Sequence, residues 1–242
     1  MKRTGSRLLL AALAWLALAS LASANNDESV RLLRLAKFVL PDFPEAVRLG
    51  GTAQGFVTAA IGRDAEGRVN DVFVLESTHA RLTQAVVEAV KQWKFALPAN
   101  PPPPETTTFP IVRFIFDSRG VAFVSATTGS LAGAERRTPG RTPIAFPRFT
   151  DLDEVPKPLH QPTPRLAGAS AAKLSGGDVT VKYFVDETGR VRVPIVLECA
   201  SPELGWATLA AVEQWQFAPP RVGGRPTIAI DSGKITFRAT AP

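Results

Sequence analysis

The apolar positions of this chain fall into two periods, and the change from one to the other happens twice. Gly55 to Arg63 and Arg68 to Ser77 are strand candidates, separated by Asp64-Ala65-Glu66-Gly67. There, glycine supplies the positive φ of a tight hairpin. Leu82, Ala85, Val86, Ala89, Val90 and Trp93 then lie on one face at helical spacing. A loop after Pro98 leads to a third strand, Phe109 to Phe116. The same order returns from Gly177, with the turn Asp186-Glu187-Thr188-Gly189 and the helical face Leu204, Ala207, Ala211, Val212 and Trp215, where Leu209 fits less well. After Pro220 comes a strand over Thr227 to Phe237. The two stretches superpose without a gap at an offset of 122 residues, and about 19 of 44 positions are identical. What was duplicated is a set of turns, core faces and a helix end, not a set of reactive groups.

The periodicity predicts an α+β protein of two tandem small domains. In each, strand one runs up, strand two down, and the helix returns the chain to the top, so strand three is antiparallel to strand one alone and the order is 2-1-3. Strand three then lies on an open edge. In the second copy, Ile228 and Ile230 are even-numbered while Ile235 and Phe237 are odd-numbered. One face of a regular strand cannot hold all four, which predicts a bulge at Ser232-Gly233. Upstream, Val30, Leu33, Leu35 and Val39 among Arg31, Arg34 and Lys37 fit a short amphipathic helix or an extended lead-in. Pro44 to Leu49 reads as a helical turn ended by Gly50-Gly51. The boundaries that follow are 25–125 and 149–242 for the two domains, with a Pro/Gly/Arg-rich linker over 126–148. Within the first domain, Asp117 to Gly120 followed by Val121 to Val124 fits a turn and a fourth strand folded back on the free edge, which would cap the first copy and leave the second open.

Composition narrows the function. Lys2, Arg3 and Arg7, the apolar run Leu8 to Leu21 and Ala22-Ser23-Ala24 form an export signal over residues 1–24. A periplasmic protein is expected; an inner-membrane anchor through an uncleaved leader is the alternative. Three of the +6 formal charges lie in that leader, and the rest are dispersed, unlike a nucleic-acid surface. The single Cys199 aligns with Ser77 as a small residue at a strand end. His79 and His160 are the only histidines, and Ser77 lies too close in sequence to His79 to be oriented by it as a nucleophile. The expectation is no catalysis, no cofactor, no metal and no small-molecule substrate.

Asp153 to Pro164, Gly177, Phe184 to Arg192, Ala211 to Phe217 and Gly223 to Pro226 together resemble the C-terminal domain of TonB. The first copy resembles it through Phe43-Pro44, Ala46, Gly55, Asp64 to Val69, Glu76-Ser77 and Ala89 to Phe95. The resemblance implies a periplasmic domain with two helices on a three-stranded antiparallel sheet. In the family the last strand captures a segment of an outer-membrane transporter by strand addition. It places the partner-binding edge at Thr227, Ile228, Ala229, Ile230, Lys234, Ile235, Thr236 and Phe237. A second edge would lie at Pro110, Ile111, Val112, Arg113 and Phe114. The second copy departs from the family's opening Tyr-Pro or Phe-Pro, having Pro164-Arg165. The implied partner is a transporter or another envelope protein. The alternatives are an envelope structural adapter unrelated to energy transduction, and a homodimer formed through sheet edges.

Overall fold

Asp64 opens the first hairpin by accepting hydrogen bonds on Oδ1 from the backbone N–H groups of Glu66 (3.0 Å) and Arg68 (2.8 Å). Asp186 does the same for Thr188 (2.9 Å) and Arg190 (3.1 Å). Gly67 and Gly189 close these turns at φ +76° and +87°, and a Cβ on either would strike the carbonyl of Phe95 or Phe217. Those close approaches bring the chain beyond the helix back to the hairpin: Phe95 N–H donates to Gly67 O (2.7 Å) and Phe217 N–H to Gly189 O (2.8 Å).

The computed structural model describes residues 33–49, 54–97, 104, 110–117, 120–125, 146–165 and 176–238. In the first unit these are β1 (Leu35–Lys37), α1 (Glu45–Leu49), β2 (Gln54–Arg63), β3 (Val69–Ser77), α2 (Ala80–Val90), β4 (Lys94–Phe95), β5 (Ile111–Asp117) and β6 (Gly120–Ser125). A 3-10 turn at Phe149–Asp151 opens the second. It is followed by β7 (Pro158–His160), β8 (Gly176–Val185), β9 (Val191–Cys199), α3 (Pro202–Val212), β10 (Gln216–Phe217), β11 (Arg221–Val222), β12 (Arg225–Pro226) and β13 (Ala229–Arg238). The leader and most of the predicted linker lie outside the described residues. So does the segment before β8, where a first helix of the second copy was expected. Leu35–Lys37 is a strand paired with β4, so this part of the lead-in is extended.

The larger sheets have the orders β3-β2-β5-β6 and β13-β8-β9. On the outer face of the first, Val57, Val112, Phe114 and Phe116 pack with Leu82, Val86 and Val90 of α2 and with Trp93. On the second, Val179, Val181, Tyr183 and Val185 pack with Leu204 and Val212 of α3 and with Phe217. Helices α2 and α3 are each followed by a tryptophan whose indole N–H ties down the incoming segment: Trp93 donates to Val39 O (2.7 Å), Trp215 to Pro162 O (3.2 Å).

The inner faces of the two sheets meet each other. Ala60, Phe73 and Ile111 form one buried cluster with Phe184, Val193 and Ile195. Beside it Arg192 donates two bonds to the Asp71 carboxylate, and Val193, held at φ +44° where β9 bulges, donates its N–H to the same group (3.2 Å). Asp71 and Arg192 each remain about a quarter exposed, at 26% and 27%. Such a pair contributes on the order of 1 kcal/mol, while burying one large apolar side chain contributes about 1.5–3 kcal/mol. Phe73, Phe184 and Ile195 therefore dominate the seam. Pro104 also reaches across, its ring where a Cβ on Gly205 of α3 would stand, and Arg63 lies 5.5 Å from the Trp206 ring.

This seam corrects the predicted bulge. β13 pairs with β8 in unbroken register from Ala229↔Val185 to Arg238↔Gly176. Its odd-numbered Ala229, Ile235 and Phe237 face the helix layer, and the even-numbered Ile228 and Ile230 pack into the seam. Both faces of the strand are apolar in turn because each meets a different core.

Candidate functional site

The ladder of β13 sets which of its backbone groups face away from β8. Ile230 donates its N–H outward, to Pro147 O at 2.9 Å. Outward and inward groups alternate in an antiparallel strand, so Ser232, Lys234, Thr236 and Arg238 carry the rest of the outer row. Among the described residues no other strand pairs with that row beyond Ile230, although the Ser232 N–H bonds the side chain of its neighbour Asp231. Among the described residues the edge is therefore open from about Ser232 to Arg238.

The segment that closes its start is firmly held. Phe146 sits edge-on to Phe184 (5.1 Å between centroids), and the buried Phe149 to Phe217 (5.3 Å). The Arg148 N–H donates to Asp151 Oδ2 (3.0 Å). Asp153 accepts the N–H groups of Gly223 (2.8 Å) and Gly224 (2.7 Å), which hold its carboxyl below the usual carboxylate range. Residues 146–148, expected to be exposed linker, are docked on β13 and the seam.

The predicted edge residues separate accordingly. Lys234, Ile235, Thr236 and Phe237 lie on the open stretch. Ile230 is closed by Pro147, Ala229 is fully buried, and the N–H of Thr227 is bonded to Pro220 O (3.0 Å). Ile228 packs into the seam. Ser232, Gly233 and Arg238 belong to the open stretch too; the mistaken bulge hid the first two, although the unbroken polar–apolar alternation from Lys234 onward signals one regular strand. At the other predicted edge, Val112, Arg113 and Phe114 face β2 on one side and Ser125, Val124 and Phe123 of β6 on the other. That edge is occupied by the chain itself.

Side chains along the open stretch are polar on one face. Thr236 donates to Asp178 Oδ1 (2.7 Å) and Lys234 bonds the other oxygen. The Lys234 bond, then the Thr236 bond, holds the Asp178 carboxyl below the usual carboxylate range, and the same contact pushes the pKa of Lys234 up. On the helix side the Tyr183 hydroxyl donates to Asp231 Oδ2 (3.4 Å), and burial pushes both groups up. A lysine and an inward-facing carboxylate on an edge strand discourage indiscriminate pairing.

No hydrolytic pair forms among the described residues. The His79 ring caps α2, accepting the Arg81 N–H on Nδ1 (3.1 Å), while the Ser77 hydroxyl bonds the His79 backbone. His160 is exposed and pairs with Gln216 in register. Cys199 packs at the edge of the second core. No group of three or more His, Cys, Asp or Glu side chains gathers at one point among the described residues.

Residues 168–239 match the family model of the Gram-negative bacterial TonB protein C-terminal. The TonB match takes in β8, β9, α3 and β13 and runs one residue past the open edge. This TonB family is a non-enzymatic protein-interaction domain of the Gram-negative envelope, which suggests an envelope protein-interaction role for this stretch. No curated protein matches the chain. Among the described residues no helix is long and apolar enough to cross a membrane.

Proposed function

We propose that this is a non-catalytic periplasmic protein that captures an extended segment of a protein partner by strand addition along Ser232 to Arg238. The observation that carries this reading is the unpaired outer row of β13 within the stretch that matches the TonB family. Main-chain pairing provides affinity in such a mode, and alternate side chains provide selectivity. The family's dealings with outer-membrane transporters favour a transport-linked partner over a purely structural envelope adapter.

We also infer that residues 25–125 form a second TonB-like unit. Strands β2, β3 and the helix α2 recur at an offset of 122 residues as β8, β9 and α3, and β1–β4 pairing recurs as β7–β10. The experiment places a photo-crosslinking side chain at Lys234 in envelope preparations and asks whether Thr236→Pro removes the adduct. Proline deletes an outward N–H without touching the β8 ladder. An adduct of unchanged yield in the Thr236→Pro protein would refute strand addition at this edge.

A further inference from the structure

The two third strands are equivalent position by position. Val57 pairs with Phe114 of β5, and its counterpart Val179 pairs with Ile235 of β13. Gly55 pairs with Phe116 and Gly177 with Phe237; Thr58 pairs with Arg113 and Thr180 with Lys234. Residues Val112 to Asp117 thus correspond to Gly233 to Arg238. Those six residues of β5 are the ones β6 covers, from Val112↔Ser125 to Asp117↔Gly120. What the second unit leaves open, the first fills from its own chain.

We propose that β6 is a resident guest, and that the open edge of β13 takes a segment of the same chemistry: antiparallel, about six residues long and apolar opposite Ile235 and Phe237. The inference rests on strand addition at β13. Its register comes from β6, where Phe123 stands opposite Phe114 and Val121 opposite Phe116, with Val121 packed against the first core. Ile235 and Phe237 take the places of those two phenylalanines and are only partly buried on the second core, so an apolar guest residue beside each would complete their cover. On the other face Lys234 and Thr236 are exposed and engaged with Asp178, so that row tolerates small or polar guest residues. Asp117 pairs with Gly120, so β6 follows β5 after two intervening residues, and Gly120 is at φ +129°. Because of that short connection β6 stays on β5, and among the described residues the row of β5 that corresponds to the open row of β13 is already filled.

The equivalence of Asp117 and Arg238 supplies the test. Replacing residues 239–242 of the full chain with a copy of residues 118–125 places a second β6 directly after Arg238, at high effective concentration. Amide exchange at Ser232, Lys234 and Thr236 is expected to slow at least tenfold, and a copy with Ala122 and Phe123 exchanged should protect less. An unprotected outer row, in a graft whose β8 ladder amides remain slow, would overturn the inference. If the graft protects the row and the Lys234 crosslink persists, partner capture elsewhere is indicated and the functional proposal fails while this one stands. If the graft fails to protect but Thr236→Pro abolishes the crosslink, the functional proposal stands and the β6-like guest is rejected.

Discussion

Strands β5 and β13 hold the same place in their sheets but end in different company: β5 lies between β2 and β6, and β13 has β8 on one side and, among the described residues, only the short segment at Pro147 and Arg148 on the other. The helices above them differ as well. α2 shows a buried stripe at Leu82, Val86, Ala89 and Val90 with solvent opposite, whereas α3 has only Ala210 exposed, because Pro104 and Arg63 of the first unit lie against it. The proposed duplication would thus have divided its roles: among the described residues β6 covers β5, the first stretch packs against α3, and the outer row of β13 is left to a guest.

Several substitutions probe that division. The largest effect is expected at the tryptophans. Trp93 is 2% exposed, so Trp93→Ala should cost about 3–5 kcal/mol in chemical denaturation. Trp215→Ala should cost less, because the same position in the second unit is only partly buried. Equal losses would mean that the two cores are matched after all.

Proline at equivalent outward positions separates the edges more sharply. Ile115→Pro removes a donor between two paired strands and should destabilise by roughly 2–3 kcal/mol. Thr236→Pro should leave the unfolding midpoint nearly unchanged. Next comes the seam: Asp71→Ala leaves the Arg192 guanidinium the longer of its carboxylate contacts, to Asp186 (3.6 Å), and Val193 strained with its N–H unbonded to a carboxylate at residue 71, at a cost of about 1–3 kcal/mol, with a second unfolding transition if the units then part.

A gain is expected from Thr208→Val. The Thr208 hydroxyl is fully buried and has no partner among the described residues, and the first unit carries Val86 at this place. Removing an unsatisfied polar group should stabilise by about 1–2 kcal/mol. The smallest effect is one of pH. Asp153 is held below its ordinary range by the Gly224 and Gly223 N–H groups, so its contribution is complete above the unfolded carboxylate value of about 4 and lost as pH falls through the lower folded value. The urea midpoints of the natural chain and of Asp153→Asn should converge as the pH drops below that point.

Local chemistry was legible in the sequence. The Asp-x-x-Gly turns, the strands they join, both helices and the closing tryptophans follow from residues within a few positions of one another, which is the range over which turn geometry and helical periodicity act. The hairpin Asp117 to Val124 was visible for the same reason. The extent of the candidate edge was not. Ile228 and Ile230 imitate a register fault unless the first unit's sheet is known to lie behind them, and Pro147 closes Ile230 from more than eighty residues away. Sequence by itself determined the repeated unit and the strand that ends it. Only the tertiary structure decided which row of that strand stays unpaired, because cover for an edge or a face is provided by distant segments that leave no periodic trace in the strand they cover.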